Sequence, residues 1–309
     1  DLFGESQDKT IINNMLDNIK NNTKDIILIN YKDFLNNKLE DYEEMLLMSC
    51  CDNNIIANSS FSWWSAYFNN NLNKKVLYPS IWFGHELQNN ITTDIAPNDW
   101  IKIHSLGNLT CVTGYWEVTN KHNTNYDNWF KNSLLINAPY IIYGKHDTIN
   151  KILEIRKNLA NRYVVYDLPD FKVNKLNINN NIHNIHVPSK ELGLIWLEKM
   201  YLVQDAYNKN FYDTDWYCWI DAGICSYREI TPPKTILLPP SKEILLDKNK
   251  INYCKSEDLP NDYNNDKLLY NHTISGGYFM IHKDKINYFV DIFYRYLKEC
   301  IKSTNDFIC

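Results

Sequence analysis

Residues 216–223 read WYCWIDAG, a run of aromatic and branched side chains that ends on an aspartate and two small residues. Such a run predicts a buried strand covered on both faces, with Asp221 at its C-terminal edge. In open α/β sheets that edge faces the ligand, and Ala222-Gly223 lets a backbone or a phosphate come close. A carboxylate held there needs a partner, because an unpaired buried charge is too costly to keep. The partner is either protein or a metal ion. As a metal ligand, Asp221 would share magnesium or manganese with a diphosphate and water. Asp213-Thr214-Asp215 also forms a D-x-D string. It precedes the strand, at the edge away from the ligand, and reads as a turn with solvated carboxylates.

Other residues can serve the same chemistry. Lys199 shares a helix face with Ile195 and Val203 in an otherwise apolar stretch, so its ammonium either reaches solvent or meets an anion such as a phosphate. Arg156, in ILEIRKNL, is open between a surface position and a phosphate contact. Gly276-Gly277 opens a strand and signals a turn, a bulge or a close backbone approach. His272 precedes it as a metal or phosphate neighbour. Glu191, Asp284 and His272 are unranked candidates for a base that deprotonates an acceptor hydroxyl. Ser59, Ser60 and Ser62 stand between an apolar strand and a helix, either as an N-cap or as a cradle of hydroxyls and N–H groups for phosphate.

These residues need a scaffold, and the periodicity supplies one. A helix over 8–22 and a strand over 25–30 are followed by a helix at YEEMLLMSCC, a strand over 53–58, a helix at WWSAYFNN and a strand at KVLYPS. This alternation predicts a parallel sheet. A polar, Gly-containing link places a domain boundary between Ile103 and Asn108, giving domains 1–105 and 106–309. In the second, strands are expected at LTCVTGYW, APYIIYG, NRYVVYD, WYCWID and GGYFMIH. Helices are expected at NWFKNSLLI, DTINKILEIRKNL, KELGLIWLEKMYLVQDAY and DKINYFVDIFYRYLKEC. NINNNIHNIH and KNKINYCKSEDLPNDYNND read as loops.

At 309 residues and 44% hydrophobic side chains the chain can bury a core. A net charge of −5 with dispersed lysines argues against a nucleic-acid or membrane-surface partner. No apolar run reaches the ~20 residues that cross a bilayer. The eight cysteines lack paired spacing, the usage of a reducing compartment such as the cytoplasm. His183 and His186 read as a chance surface pair. The abrupt start at Asp1 reads as the interior of a longer protein.

Two resemblances add to this. NNIIANSSFSWWSAYFNNNLNKKVLYPSIWFG with TTDIAPNDWIKI resembles the C-terminal half of the family 11 glycosyltransferases, which are α-1,2-fucosyltransferases, over most of 1–103. It implies a GT-B-type Rossmann-like half in which Asn58, Ser59, Ser60, Phe61 and Ser62 face GDP-fucose, with Trp63 and Trp64 packed behind. No metal is implied for that part. The family's H-x-R-R-x-D motif does not occur in these 309 residues, so this segment is not expected to transfer fucose by itself. VTGYWEVTNKH, NWFKNSLLINAPYIIYG, WIDAG and SGGYFMIHKD resemble the HtrL/YibB family over 109–299, which implies a GT-A-like α/β domain.

The combined expectation is an α/β protein, a partial GT-B-type half followed by a GT-A-like domain. It would transfer sugar from a nucleotide-sugar donor to a glycan acceptor. Arg156, Lys199, His272, Gly276 and Gly277 would lie at the second donor, with manganese or magnesium on Asp221. A non-catalytic glycan-binding or assembly protein stands against it, since 9 tryptophans and 22 tyrosines suit sugar stacking as well as core packing. So does a nucleotide-sugar hydrolase with water as acceptor.

Overall fold

The structure is a computed structural model, and it describes residues 39–83, 94–104, 107–120, 126–157, 159–176, 187–255 and 274–303. The helix expected over 8–22, the strand over 25–30, His183, His186 and His272 lie outside the described residues. The chain divides into two compact units, Asp1–Leu77 and Tyr78–Cys309.

In the first unit, α1 (Asp41–Ser49) leads to a two-residue strand β1 (Asn54–Ile55), then α2 (Ser60–Tyr67) and β2 (Val76–Pro79), whose last residues belong to the second unit. β1 and β2 pair in parallel, Asn54 opposite Val76. Buried asparagines hold the turns: the Asn69 amide donates to Cys51 O at 2.6 Å and to Asn54 Oδ1 at 2.8 Å. The Lys74 ammonium donates to Ala66 O at 2.9 Å in the last turn of α2 and to Asn69 O at 2.6 Å just past it, a cation at the negative end of the helix dipole.

In the second unit a short strand, β3 (Ile101–Ile103), receives the Ser80 N–H at Ile103 O, 2.9 Å. The main sheet follows. Its strands are β4 (Leu109–Tyr115), β5 (Tyr140–Gly144), β6 (Asn161–Val165), β7 (Trp216–Ile220), β8 (Asn252–Lys255) and β9 (Ile274–His282), in the order β6-β5-β4-β7-β9-β8. The first four are mutually parallel, and β9 runs antiparallel to both β7 and β8.

Each strand sends alternate side chains to opposite faces. Val112, Ile141, Tyr143, Tyr217, Trp219 and Ile281 meet α5 (Lys190–Lys209) and α7 (Ile286–Ser303). Leu109, Cys111, Tyr140, Ile142, Trp216 and Cys218 meet α3 (Tyr126–Ser133) and α4 (Ile149–Arg156). The result is a three-layer α/β/α arrangement. Mixed parallel and antiparallel pairing between helical layers is consistent with the α/β folds of glycosyltransferases. A single helical turn, α6 (Pro240–Glu243), precedes β8.

Two elements correct the sequence expectation. KINYCK contains the edge strand β8 rather than a loop, with a register shift at Tyr253/Cys254, and WIKI contains β3. No helix among the described residues is long and apolar enough to cross a membrane.

Candidate active site

The chain leaves β4 toward β5 on one side and returns as β7 on the other, so the connections at their C-terminal ends diverge. A crevice forms where strand order reverses in this way. Here it is a cavity of about 400 Å³ lined by Trp116, Glu117, Tyr126, Asp127, Trp196, Trp219 and Asp221 among others. A second lobe of about 310 Å³ adjoins it, bordered by Gly223, Cys225, Arg228, Cys254, Ser275 and Gly277. Asn120, Tyr126, Leu192, Trp196 and Asp221 line both.

Asp221 sits where expected, one residue past the fully buried Trp216–Ile220 strand. Its side chain is 25% exposed, and its Oδ1 receives the Lys199 ammonium at 2.7 Å and the Trp219 indole N–H. Oδ2 has no hydrogen-bond donor among the described residues.

Lys199 takes the anion alternative, and the anion is Asp221. Helical side chains lean toward the helix N-terminus, which sends the ammonium of a mid-helix lysine up toward the sheet's C-terminal rim. It also donates to Gly276 O at 2.9 Å and lies 5.6 Å from the Trp219 ring centroid. The α5 face that carries it, with Leu192, Ile195 and Trp196 at helical spacing, forms one wall of the first lobe.

The antiparallel course of β9 brings Gly276-Gly277 to this rim. Ile220 pairs with Tyr278, and the Asp221 N–H donates to Gly277 O at 2.8 Å. A Cβ on Gly277 would lie 3.4 Å from Asp221 Oδ2, so the close approach inferred for this pair is to the carboxylate. The pair lies within β9 rather than ahead of it. At Gly223 the close neighbours are rings: an added Cβ would meet Tyr126 at 2.9 Å and Trp129 at 3.2 Å.

Several predicted residues lie elsewhere. Arg156 is fully buried beneath the sheet, donating to the carbonyls of Leu134, Ile136, Ala138 and Ala160 with its guanidinium 4.3 Å from the Tyr140 ring centroid. It is a staple for the β5 entrance and has no donor-binding surface. Asp284 lies past the C-terminal end of β9, the opposite rim from Asp221, with its Oδ2 3.3 Å from His282 Nδ1. Glu191 is exposed in the first turn of α5. At that same far rim Asp215 pairs with Lys283 and with the Asn108 amide at 3.0 Å, and Asp213 pairs with Lys102. Both carboxylates remain partly solvated at the strand entry, as expected, but each carries a lysine partner.

The lining carboxylates and tyrosines interact. Tyr115 donates to Asp127 Oδ1, and burial with that hydrogen bond raises its phenol pKa. Burial, then the Asp221 charge, pushes Tyr126 up to about 12, with Arg228 opposing. Tyr126 therefore feels both the rim carboxylate and the arginine of the second lobe. Sequence reasoning passed over Glu117, Asp127, Tyr126 and Arg228, because nothing in their local spacing separates them from ordinary loop and helix residues.

A divalent cation shared with a diphosphate and water needs as few as one carboxylate oxygen from the chain. The Lys199 ammonium and Trp219 indole occupy Oδ1, leaving one carboxylate oxygen. Among the described residues no three His, Cys, Asp or Glu side chains gather around a common point.

In the first unit, Ser59 occupies the N-cap position of α2, yet its side chain makes no capping hydrogen bond. The Ser62 hydroxyl donates to Ala57 O at 3.2 Å and Ser59 O at 3.1 Å, and Ser62 is buried. Asn58 and Ser60 are exposed, and Ser59 and Phe61 are half-buried. Trp63 is half-buried against Tyr67, and Trp64, 45% exposed, stacks on Phe68.

Residues 7–104 match the family model for glycosyl transferase family 11. The matched segment runs past the division at Leu77 and ends just after β3. It includes the Asn58–Ser62 turn but none of the residues around Asp221. The resemblance of 109–299 to HtrL/YibB finds no support in these comparisons. No curated protein and no solved structure matches the chain.

Proposed function

We propose that the chain is a glycosyltransferase whose second unit binds a nucleotide-sugar donor in the two-lobed cavity and passes the sugar to a glycan acceptor. The observation that carries this reading is the family 11 match of residues 7–104. For that segment the same match favours GDP-fucose as donor. The cavity supplies the geometry: it lies at the reversal point of an α/β sheet, where such folds take ligands. Aromatic side chains there can stack on a base or a sugar face, and Glu117 and Asp127 can accept hydrogen bonds from hydroxyl groups.

Asp221 is the group placed to touch both substrates. One oxygen is fixed by Lys199 and Trp219, so the other is held in orientation at the junction of the lobes. An oriented carboxylate oxygen can accept the acceptor hydroxyl's hydrogen bond and take its proton as the new bond forms.

The test is a screen of nucleotide sugars, GDP-fucose included, for release of nucleoside diphosphate with and without a glycan acceptor, in manganese and in chelator. Wild type should turn over at least one donor, and Asp221→Asn should lose about 10²-fold or more. Equal rates for the two proteins would remove Asp221 from the mechanism. Release that does not depend on acceptor would identify a hydrolase.

A further inference from the structure

Arg228 follows the turn Cys225–Tyr227 that leads away from Asp221, and it is held from three sides. The Asn132 amide donates to Tyr227 O at 3.0 Å and to Arg228 O at 3.3 Å, tying its backbone to α3. Its Nε donates to Gly223 O at 3.0 Å. Its guanidinium carbon lies 4.0 Å from the Trp129 ring centroid, so the fork is stacked on an aromatic face. One N–H is spent. Nη1 and Nη2 have no acceptor among the described residues, and the side chain borders the 310 Å³ lobe.

The charges around the two lobes fix what can enter each. The first lobe is bounded by Glu117 and Asp127, while Asp221, paired with Lys199, lines both lobes. Lys199 is committed to Asp221 and Gly276, and among the described residues that line either lobe, Arg228 is the one cation. An oxyanion is therefore repelled from the first lobe and drawn to the second, while hydroxyl groups find acceptors in the first. A planar fork with a fixed Nε and two open amino groups suits bidentate contact with an oxyanion.

We propose that Arg228 is an oxyanion clamp that holds the diphosphate of the donor in the second lobe, with the sugar or ribose hydroxyls directed to the carboxylates of the first. This rests on the nucleotide-sugar reading above for the identity of the diphosphate, though not for the anion site itself. The clamp supplies charge compensation for the diphosphate from the chain itself.

The experiment is calorimetric titration, in chelator, of the full chain with inorganic pyrophosphate, GDP, UDP, the corresponding nucleosides and glucuronate. Wild type, Arg228→Met, Arg228→Gln and Arg228→Lys are compared. Arg228→Met and Arg228→Gln should weaken pyrophosphate and at least one nucleoside diphosphate by about 10- to 100-fold, the worth of hydrogen bonds to a charged group. Affinity for the nucleoside should stay within about twofold, which also reports that the cavity is still folded, and Arg228→Lys should recover part of the loss by charge without the fork. Equal pyrophosphate binding by wild type and Arg228→Gln overturns the clamp, as does no binding of any anion by wild type. Arg228-dependent binding of pyrophosphate with no binding of GDP or UDP keeps the clamp and removes the nucleotide-sugar reading. Arg228-dependent binding of glucuronate alone overturns the diphosphate assignment and gives the site to an acidic acceptor.

Discussion

The turn at Asn58–Ser62 and the rim at Asp221 are both strand-end positions facing the start or flank of a helix, yet they are built in opposite ways. At the turn, the Ser62 hydroxyl is consumed by local carbonyls and Ser59 leaves the first N–H groups of α2 uncapped. The Ser62 contacts come from within a few residues. At the rim, Lys199, Trp219, Gly276 and Gly277 converge on Asp221 from α5, β7 and β9. The turn belongs to the segment that matches a family, and the rim does not. A recognisable string and a preorganised site are separate properties, and here they occupy separate stretches of chain.

The comparison can be broken most directly at Lys199. If the rim is a mutually supporting set, Lys199→Met leaves a half-buried carboxylate without its cation and should cost about 2–3 kcal/mol in chemical denaturation, somewhat less than a fully buried pair. Adding Asp221→Asn should restore part of that, so the double variant is more stable than the sum of the singles predicts. Strict additivity would mean that the pair is not coupled.

A smaller effect is expected at His104, the last residue of the matched segment. Burial lowers its pKa from 6.5, with Asp215 opposing, Lys102 adding, and Asp213 and Glu243 opposing. Its Nδ1 is buried without a hydrogen-bond partner. The folded state therefore prefers neutral imidazole. Its contribution to stability is complete above pH 6.5 and is lost as pH falls from there toward the lower folded-state value. Melting temperatures of wild type should drop between pH 7 and pH 5, and His104→Gln should flatten that slope. A slope unchanged by the substitution would place the acid sensitivity elsewhere.

The smallest effect belongs to the turn. Ser59→Ala should change stability by less than about 0.3 kcal/mol, against about 1 kcal/mol for loss of a working N-cap. Ser62→Ala, which breaks real hydrogen bonds, should cost about 1 kcal/mol. A full cap-sized loss at Ser59 would make the turn an ordinary helix start.

Much of this scaffold was legible because buried strands in α/β proteins are nearly continuous runs of apolar residues. Tyr140–Gly144 and Trp216–Ile220 were read with their edges almost in place. β8 was missed because Asn252 and Lys255 interrupt the apolar pattern, which is how edge strands discourage further pairing. Lys199 and Asp221 were each legible as charges needing partners, although their partnership was not, since 22 residues and a turn of direction separate them. Arg156 was misplaced because its burial depends on carbonyls from 134–138 and 160, which no local pattern announces. Arg228 sits in a polar stretch, SYREITPPK, where only the fold reveals its stacking on Trp129.

The reversed course of β9 has a wider consequence. Because the exit of β7 and the beginning of β9 meet side by side, the stretch between them can change length without disturbing the carboxylate. A slip of one position between those two strands is another matter: it would turn every side chain of β9 to the other face. In one direction Gly277 would give way to Tyr278, whose side chain would be driven against Asp221, and in the other to Gly276. Drift in this protein should therefore leave the alignment between the two strands fixed.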